Sequence, residues 1–324
     1  MRISALLITS IIVVGIPAVA FAQTPAFNPS NPAASGYNIV FEDDFTCLST
    51  ISLSPTNAPG YKWYTDNYIY GETTPSSVFS LAPEGGLIIT PVDGLNMALA
   101  SAALPYPSHT GGGTIYTSGT NGSAPTTSAN AGFVGEVFNN GWYIEASMSF
   151  NGSLTKPFSA GKGWPSFWTL PIEKAGALGG DQWKGQATGY LHYIENDMFE
   201  MFSNVSASSV HDWYGIYNVT CSSYCNETNS NNTVSAPAFT SGVFHTFGQL
   251  WVPGSAANGD KGSITNYIDG KQTNSVSWVD TGVGTPPPKG AFTWSVIDSQ
   301  HLYVIFGATE GQALTIKYVK VWQN

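Results

Sequence analysis

The sequence predicts an all-β protein built as a sandwich or jelly roll, and three observations carry that expectation. From Tyr37 onward, short alternating or β-branched runs recur between Gly, Asn and Pro clusters, as in residues 86–90, 142–150 and 263–268, the last ending at Asp269-Gly270. No segment after the N-terminal leader places apolar residues at helical spacing over about ten positions. The composition, 42% hydrophobic and 13% aromatic with 35 Gly and 20 Pro, suits a turn-rich chain with enough apolar material for a large core. At 324 residues the chain is compatible with one domain, since all-β sandwiches routinely run past about 200 residues.

Taken in order, the chain starts with Met1 and Arg2, an apolar run through Ile11, Ile12, Val13 and Val14, and small residues at Ala20 and Ala22. This is the pattern of a signal peptide, residues 1–22, cleaved after Ala22. Residues 23–36, rich in Pro, Asn, Ala and Ser, read as a flexible lead-in, and 37–324 as a single domain. No later segment approaches the roughly 18 uninterrupted apolar residues of a membrane span, so a secreted protein, extracellular or periplasmic, is expected. A net charge of -10, from 11 basic and 21 acidic residues, excludes a general nucleic-acid binder, which needs a basic surface. Cys221 and Cys225 are close enough to bridge in an oxidising compartment, while Cys47 has no obvious partner. Two cysteines without a second pair leave a zinc site incomplete. Two polar stretches, 108–130 and 218–236, read as long loops. The Asn-x-Ser/Thr triplets at Asn121, Asn151, Asn204, Asn218, Asn226 and Asn231 read as polar loop chemistry, being acceptors only in a eukaryotic secretory pathway.

The informative segment is Leu191-His192-Tyr193-Ile194-Glu195-Asn196-Asp197-Met198-Phe199-Glu200-Met201-Phe202. On a strand Glu195 and Asp197 project from one face, and His192 from the other. Glu200 joins the two carboxyls only if a β-bulge absorbs the extra residue in Met198-Phe199. Like charges so crowded cannot all stay ionised, so at least one of the three keeps a proton near neutral pH. Retaining glycoside hydrolysis needs such a pair, a carboxylate nucleophile and a protonated carboxyl roughly 5 Å apart. Glu195 and Glu200 fit those two places, with Asp197 between them able to share a proton. Aromatic and apolar neighbours argue against a solvated acidic strand, and a calcium site wants six to eight oxygens from a loop.

These residues resemble the family-16 glycoside hydrolases, which include laminarinases and lichenases. The resemblance runs almost end to end: Ile39-Val40-Phe41-Glu42-Asp43-Asp44-Phe45, Tyr116-Thr117-Ser118-Gly119, Gly141-Trp142-Tyr143-Ile144-Glu145-Ala146, and Gly163-Trp164-Pro165-Ser166-Phe167-Trp168-Thr169-Leu170-Pro171 precede the acidic segment. Phe244-His245-Thr246-Phe247, Trp251, Tyr267-Ile268-Asp269-Gly270 and Ile316-Lys317-Tyr318-Val319-Lys320-Val321-Trp322 follow it. The resemblance implies a jelly roll of two curved antiparallel sheets, like concanavalin A, with a substrate cleft on the concave face. It implies Glu195 as nucleophile, Glu200 as acid/base and Asp197 as assisting carboxyl, acting on a β-linked glucan or galactan without cofactor or catalytic metal. Trp164 and Trp168 share parity and are candidates to stack on sugar rings, whose apolar faces suit indoles. His211 and Trp213 resemble a cleft-lining strand and are further substrate-binding candidates.

Three positions depart from the family pattern. Asn196 stands where an aliphatic residue is usual and points away from the cleft, so its amide must find partners or cost about 1 to 3 kcal/mol. Leu250 replaces a common acidic residue, which bears on subsite contacts. Lys317 replaces an aspartate that binds structural calcium in many relatives, and its ammonium would repel the ion. The expectation is a secreted, monomeric, endo-acting hydrolase of a β-linked polysaccharide, β-1,3- or mixed-linkage glucan first. A transglycosylase on the same scaffold and a carbohydrate-binding jelly roll with weak or lost catalysis are the alternatives.

Overall fold

The computed structural model describes residues 26–53, 58–67, 72–90, 92–96, 110–116, 118–120, 133–150, 165–172, 190–202, 205–216, 226–235, 242–255, 257, 259–279, 300–309 and 313–324. Among them the chain is mostly strand with almost no helix, the named helical elements being short 3-10 turns at Pro32–Ser35, Leu48–Thr50 and Ser76–Val78. Two large, nearly all-antiparallel sheets form a jelly-roll sandwich. The first runs Asn226–Ser235, Val205–Ile216, Tyr190–Phe202, Ser166–Pro171, Leu302–Thr309, Thr110–Tyr116, Trp63–Tyr64, Ile51–Ser52, with Val92–Asn96 also on Thr110–Tyr116. The second, here the outer sheet, runs Lys271–Val279, Lys261–Ile268, His245–Val252, Trp142–Phe150, Leu314–Gln323, Leu87–Ile89, Phe79–Leu81, with Asn38–Asp43 also on Leu314–Gln323.

Inward-facing side chains of both sheets meet in one aromatic core. Phe199 of the first sheet lies with its ring centroid 4.2 Å from that of Phe247 of the outer sheet. Phe150 stacks on Phe199 at 4.8 Å, and Phe167 stacks on Phe306 at 4.7 Å. Trp63, Trp142 and Trp251 are fully buried in the same core. Buried aromatics of this size bring large apolar areas and directional ring contacts to each strand pair.

The outer face of the outer sheet carries a second aromatic layer of Tyr37, Tyr143, Leu250, Tyr267 and Trp322. Residues 26–36 lie against it: Phe27 sits 4.8 Å from the Tyr143 ring and 5.3 Å from Tyr37, and Pro32–Ser35 forms a capped 3-10 turn. Described structure therefore begins at residue 26, within the segment that composition alone assigns to a flexible lead-in. Tyr143 crosses Gly248 so closely that a Cβ there would come 2.7 Å from the tyrosine oxygen, which makes a side chain at 248 intolerable without displacement.

Both stretches read as long loops contain strands. Thr110–Tyr116 pairs with Leu302–Thr309, and Asn226–Ser235 pairs along its whole length with the Val205–Ile216 strand. The physical reason is that backbone hydrogen bonds alone can hold a strand in a sheet, so the polar edge strand Asn226–Ser235 and the glycine-rich interior strand Thr110–Tyr116 give no alternating apolar signal. Cys221, Cys225, Trp164, the triplets at Asn121, Asn151, Asn204 and Asn218, and residues 1–25 lie outside the described residues.

Candidate active site

Three neighbouring strands of the first sheet build the site: Ser166–Pro171, Tyr190–Phe202 and Val205–Ile216. The central one carries the carboxyls, and its register shows the bulge. On one side Asp197 pairs with Ser209 and Glu200 with Ala207, so three steps along the acidic strand match two on its neighbour. On the other side Asp197 faces Trp168 while Phe199 faces Phe167, leaving Met198 as the extra residue. Met198 and Phe199 are consecutive yet both belong to the between-sheet core, at 3% and 0% exposure. Glu200 thereby recovers the face of Glu195 and Asp197, as bulges permit by re-aiming one side chain. Asp197 is buried at 2% exposure, and Glu195 and Glu200 are half-buried.

The next strand holds two of these groups in place. The His211 Nε2 atom lies 2.9 Å from Asp197 Oδ2. The indole Nε1–H of Trp213 donates to Glu195 Oε2 at 2.9 Å. Both contacts are diagonal, because His211 is the cross-strand partner of Glu195, and Trp213 that of Tyr193. The Trp213 ring stacks on His211, with centroids 5.7 Å apart and planes 11° apart, and on Tyr193 at 6.4 Å and 21°. Of the two residues that the sequence resemblance sets against sugar, His211 places its Nε2 on Asp197 and Trp213 its indole N–H on Glu195.

Trp168 does lie on the carboxyl face, in an apolar cluster with Leu170, Ile172, Tyr193, Tyr303 and Ile305, against which Trp213 packs. At 7% exposure it is a largely covered part of that floor. Tyr193 was legible, since it shares parity with Glu195 and Asp197. Gln300 was not: its Oε1 accepts the backbone N–H of Ile194 at 2.9 Å, anchoring the residue before Glu195 from 106 positions away, and no local pattern announces it.

Asn196 points to the interior between the sheets at 0% exposure, and among the described residues neither its side-chain nitrogen nor its oxygen meets a hydrogen-bond partner. The backbone pairing of its strand dictates that placement, since Asn196 sits between two residues that face the cleft. Leu250 is not near the site: it packs at 7% exposure on the outer face of the outer sheet with Tyr143, Tyr267 and Trp322, so its departure from the family pattern concerns that layer rather than sugar contacts.

At Lys317, where the family that the sequence resembles places a calcium-binding aspartate, the surroundings are mixed in charge. Lys317 lines a cavity with Glu42, Asp44, Glu84, Lys62 and Lys320. Asp43 beside them is engaged, its Oδ1 accepting from Phe45 N–H and its Oδ2 from Trp63 Nε1–H, both at 2.9 Å. Lys62 Nζ donates to the Glu42 carbonyl at 2.5 Å. Three lysines lining the same cavity as the remaining carboxylates do not fit a divalent cation.

No protein-family model matches the sequence, and no curated protein does. Solved structures do share its fold. An endo-1,3-beta-glucanase from Streptomyces sioyaensis superposes with a TM-score of 0.51 and 20% identity, covering 89% of this chain and 96% of that one. Porphyranase B from Zobellia galactanivorans gives 0.50 and 14%, covering 89% and 92%. The chain has the jelly-roll fold of these proteins across most of its length.

Proposed function

We propose that this protein is a secreted, endo-acting glycoside hydrolase of the family-16 kind that cleaves a β-linked polysaccharide with retention of configuration. The observation that carries the reading is the bulge at Met198-Phe199, which brings Glu195, Asp197 and Glu200 to one face. Three carboxyls on one face beside an aromatic floor offer a nucleophile, an acid/base and an assisting group, the set that a double displacement needs. Glu200 protonates the glycosidic oxygen as Glu195 attacks the anomeric carbon, the leaving chain departs, and an ester to the sugar forms. Glu200 then takes a proton from water, which attacks the same carbon and frees Glu195. The fold shared with a glucanase and a porphyranase is consistent with a polymeric glycan as substrate, and β-1,3- or mixed-linkage glucan is the first choice.

A reducing-sugar assay on β-1,3-glucan, mixed-linkage glucan, agarose, carrageenan and xyloglucan tests this. Turnover of at least one polymer, abolished by Glu195→Ala, is expected. Binding to a polymer without turnover by the wild-type protein would replace the hydrolase with a carbohydrate-binding jelly roll.

A further inference from the structure

We infer that His211 and Trp213 are positioning residues for the carboxyls rather than sugar ligands, His211 aiming Asp197 and Trp213 aiming Glu195. The roles rest on the hydrolase reading above, but the contacts that define them are independent of any substrate.

Each bond reaches a different carboxyl and leaves it in a defined state of orientation. With Asp197 Oδ2 as acceptor, the 2.9 Å contact makes His211 Nε2–H the donor. The other oxygen, Oδ1, is buried and meets no partner among the described residues, and it belongs to the carboxyl that shares a face with the two glutamates. Trp213 offers only a donor, fixed by the indole plane, and spends it on Glu195 Oε2. The two rings brace one another at 11° between planes, and Tyr193 braces Trp213 in turn. Three stacked rings therefore set the torsions of two carboxyls on the adjacent strand. The Trp213 indole N–H, committed to Glu195, is not available to a sugar hydroxyl. A half-buried histidine whose Nε2 is committed to Asp197 has one fewer atom to spend on a hydroxyl.

Kinetics separate positioning from sugar binding, because a group that only orients the reacting atoms changes kcat, and a sugar ligand changes KM. His211→Ala should lower kcat by about 10- to 100-fold, the scale set by misplacing a reacting group by about 1 Å, with KM within about twofold. His211→Gln, whose terminal amide nitrogen can donate from a similar reach, should restore most of that loss. Trp213→Phe keeps the stack, removes the donor, and should lower kcat with KM retained. On an Asp197→Asn background His211→Ala should cost less than about twofold more, since its effect runs through Asp197. A rise in KM with kcat preserved, or full additivity with Asp197→Asn, would overturn the inference.

A second measurement does not depend on activity. Ring 15N NMR of the full chain should find neutral His211 as the Nε2–H tautomer, and Asp197→Asn should change its ring shifts. An Nδ1–H tautomer with bare Nε2 overturns the donation to Asp197 whatever the enzyme turns over. Inactivity of the wild-type protein on every polymer, with the expected tautomer, would reject the hydrolase and leave the clamp standing.

Discussion

Asn196 shows how a single residue records a conflict between strand geometry and side-chain chemistry. Its neighbours Glu195 and Asp197 must face the cleft, so alternation drives its amide into the sandwich, where it is fully buried and, among the described residues, unpartnered. An unsatisfied buried amide costs about 1 to 3 kcal/mol, and an aliphatic side chain of the same size avoids that cost. Asn196→Leu should therefore raise stability by an amount in that range, measured as a shift of the denaturant midpoint at unchanged slope. A fall in the midpoint would mean that an ordered water satisfies the amide. The carboxyl trio was legible from spacing because both rules it obeys, alternation and the bulge, are local. The roles of His211, Trp213 and Gln300 were not, because they depend on which atoms meet across strands 14 to 106 residues apart.

At the scale of strands, the two sheets differ in how much of them composition reveals. Trp142–Phe150 and Leu314–Gln323 alternate apolar and polar residues and were readable, whereas Asn226–Ser235 and Thr110–Tyr116 contribute backbone ladders with little apolar patterning. The outer sheet is also joined by a polar contact that no pattern announces. Glu145 accepts from the Tyr143 hydroxyl at 2.9 Å and from the Tyr318 hydroxyl at 2.7 Å, linking Trp142–Phe150 to Leu314–Gln323. Burial, and then the Glu145 carboxylate, push both tyrosine pKa values above the ordinary 10.0. Burial does the same to Tyr37 and Tyr267 in that layer. The sign follows from proton counts: above about pH 10 the unfolded chain loses tyrosine protons that the folded chain keeps. Stability from these groups is thus fully present below pH 10 and lost as pH rises through the folded values. Denaturant midpoints between pH 8 and 12 should be level at first and then fall, and Tyr318→Phe should make the fall shallower. An unchanged midpoint across that range would contradict the tyrosine layer as described.

For the whole molecule, the sequence predicts and the structure has an all-β sandwich, with the proposed chemistry on the face of one sheet turned away from the core and an aromatic layer, covered by residues 26–36, on the corresponding face of the other. Among the described residues no helix is long and apolar enough to cross a membrane. Because Lys62, Lys317 and Lys320 line the cavity that holds Glu42, Asp44 and Glu84, thermal stability should not depend on calcium. A melting midpoint lowered by several degrees on chelation would reveal a bound ion, since a tight ligand stabilises by mass action. The central claim concerns catalysis by Glu195 and Glu200, and proton NMR of the first product formed by the wild-type enzyme, read before mutarotation, tests it most directly. Two displacements at one carbon give the β anomer from a β-linked polymer. An α anomer as first product would contradict the nucleophilic role of Glu195 and the mechanism built on it.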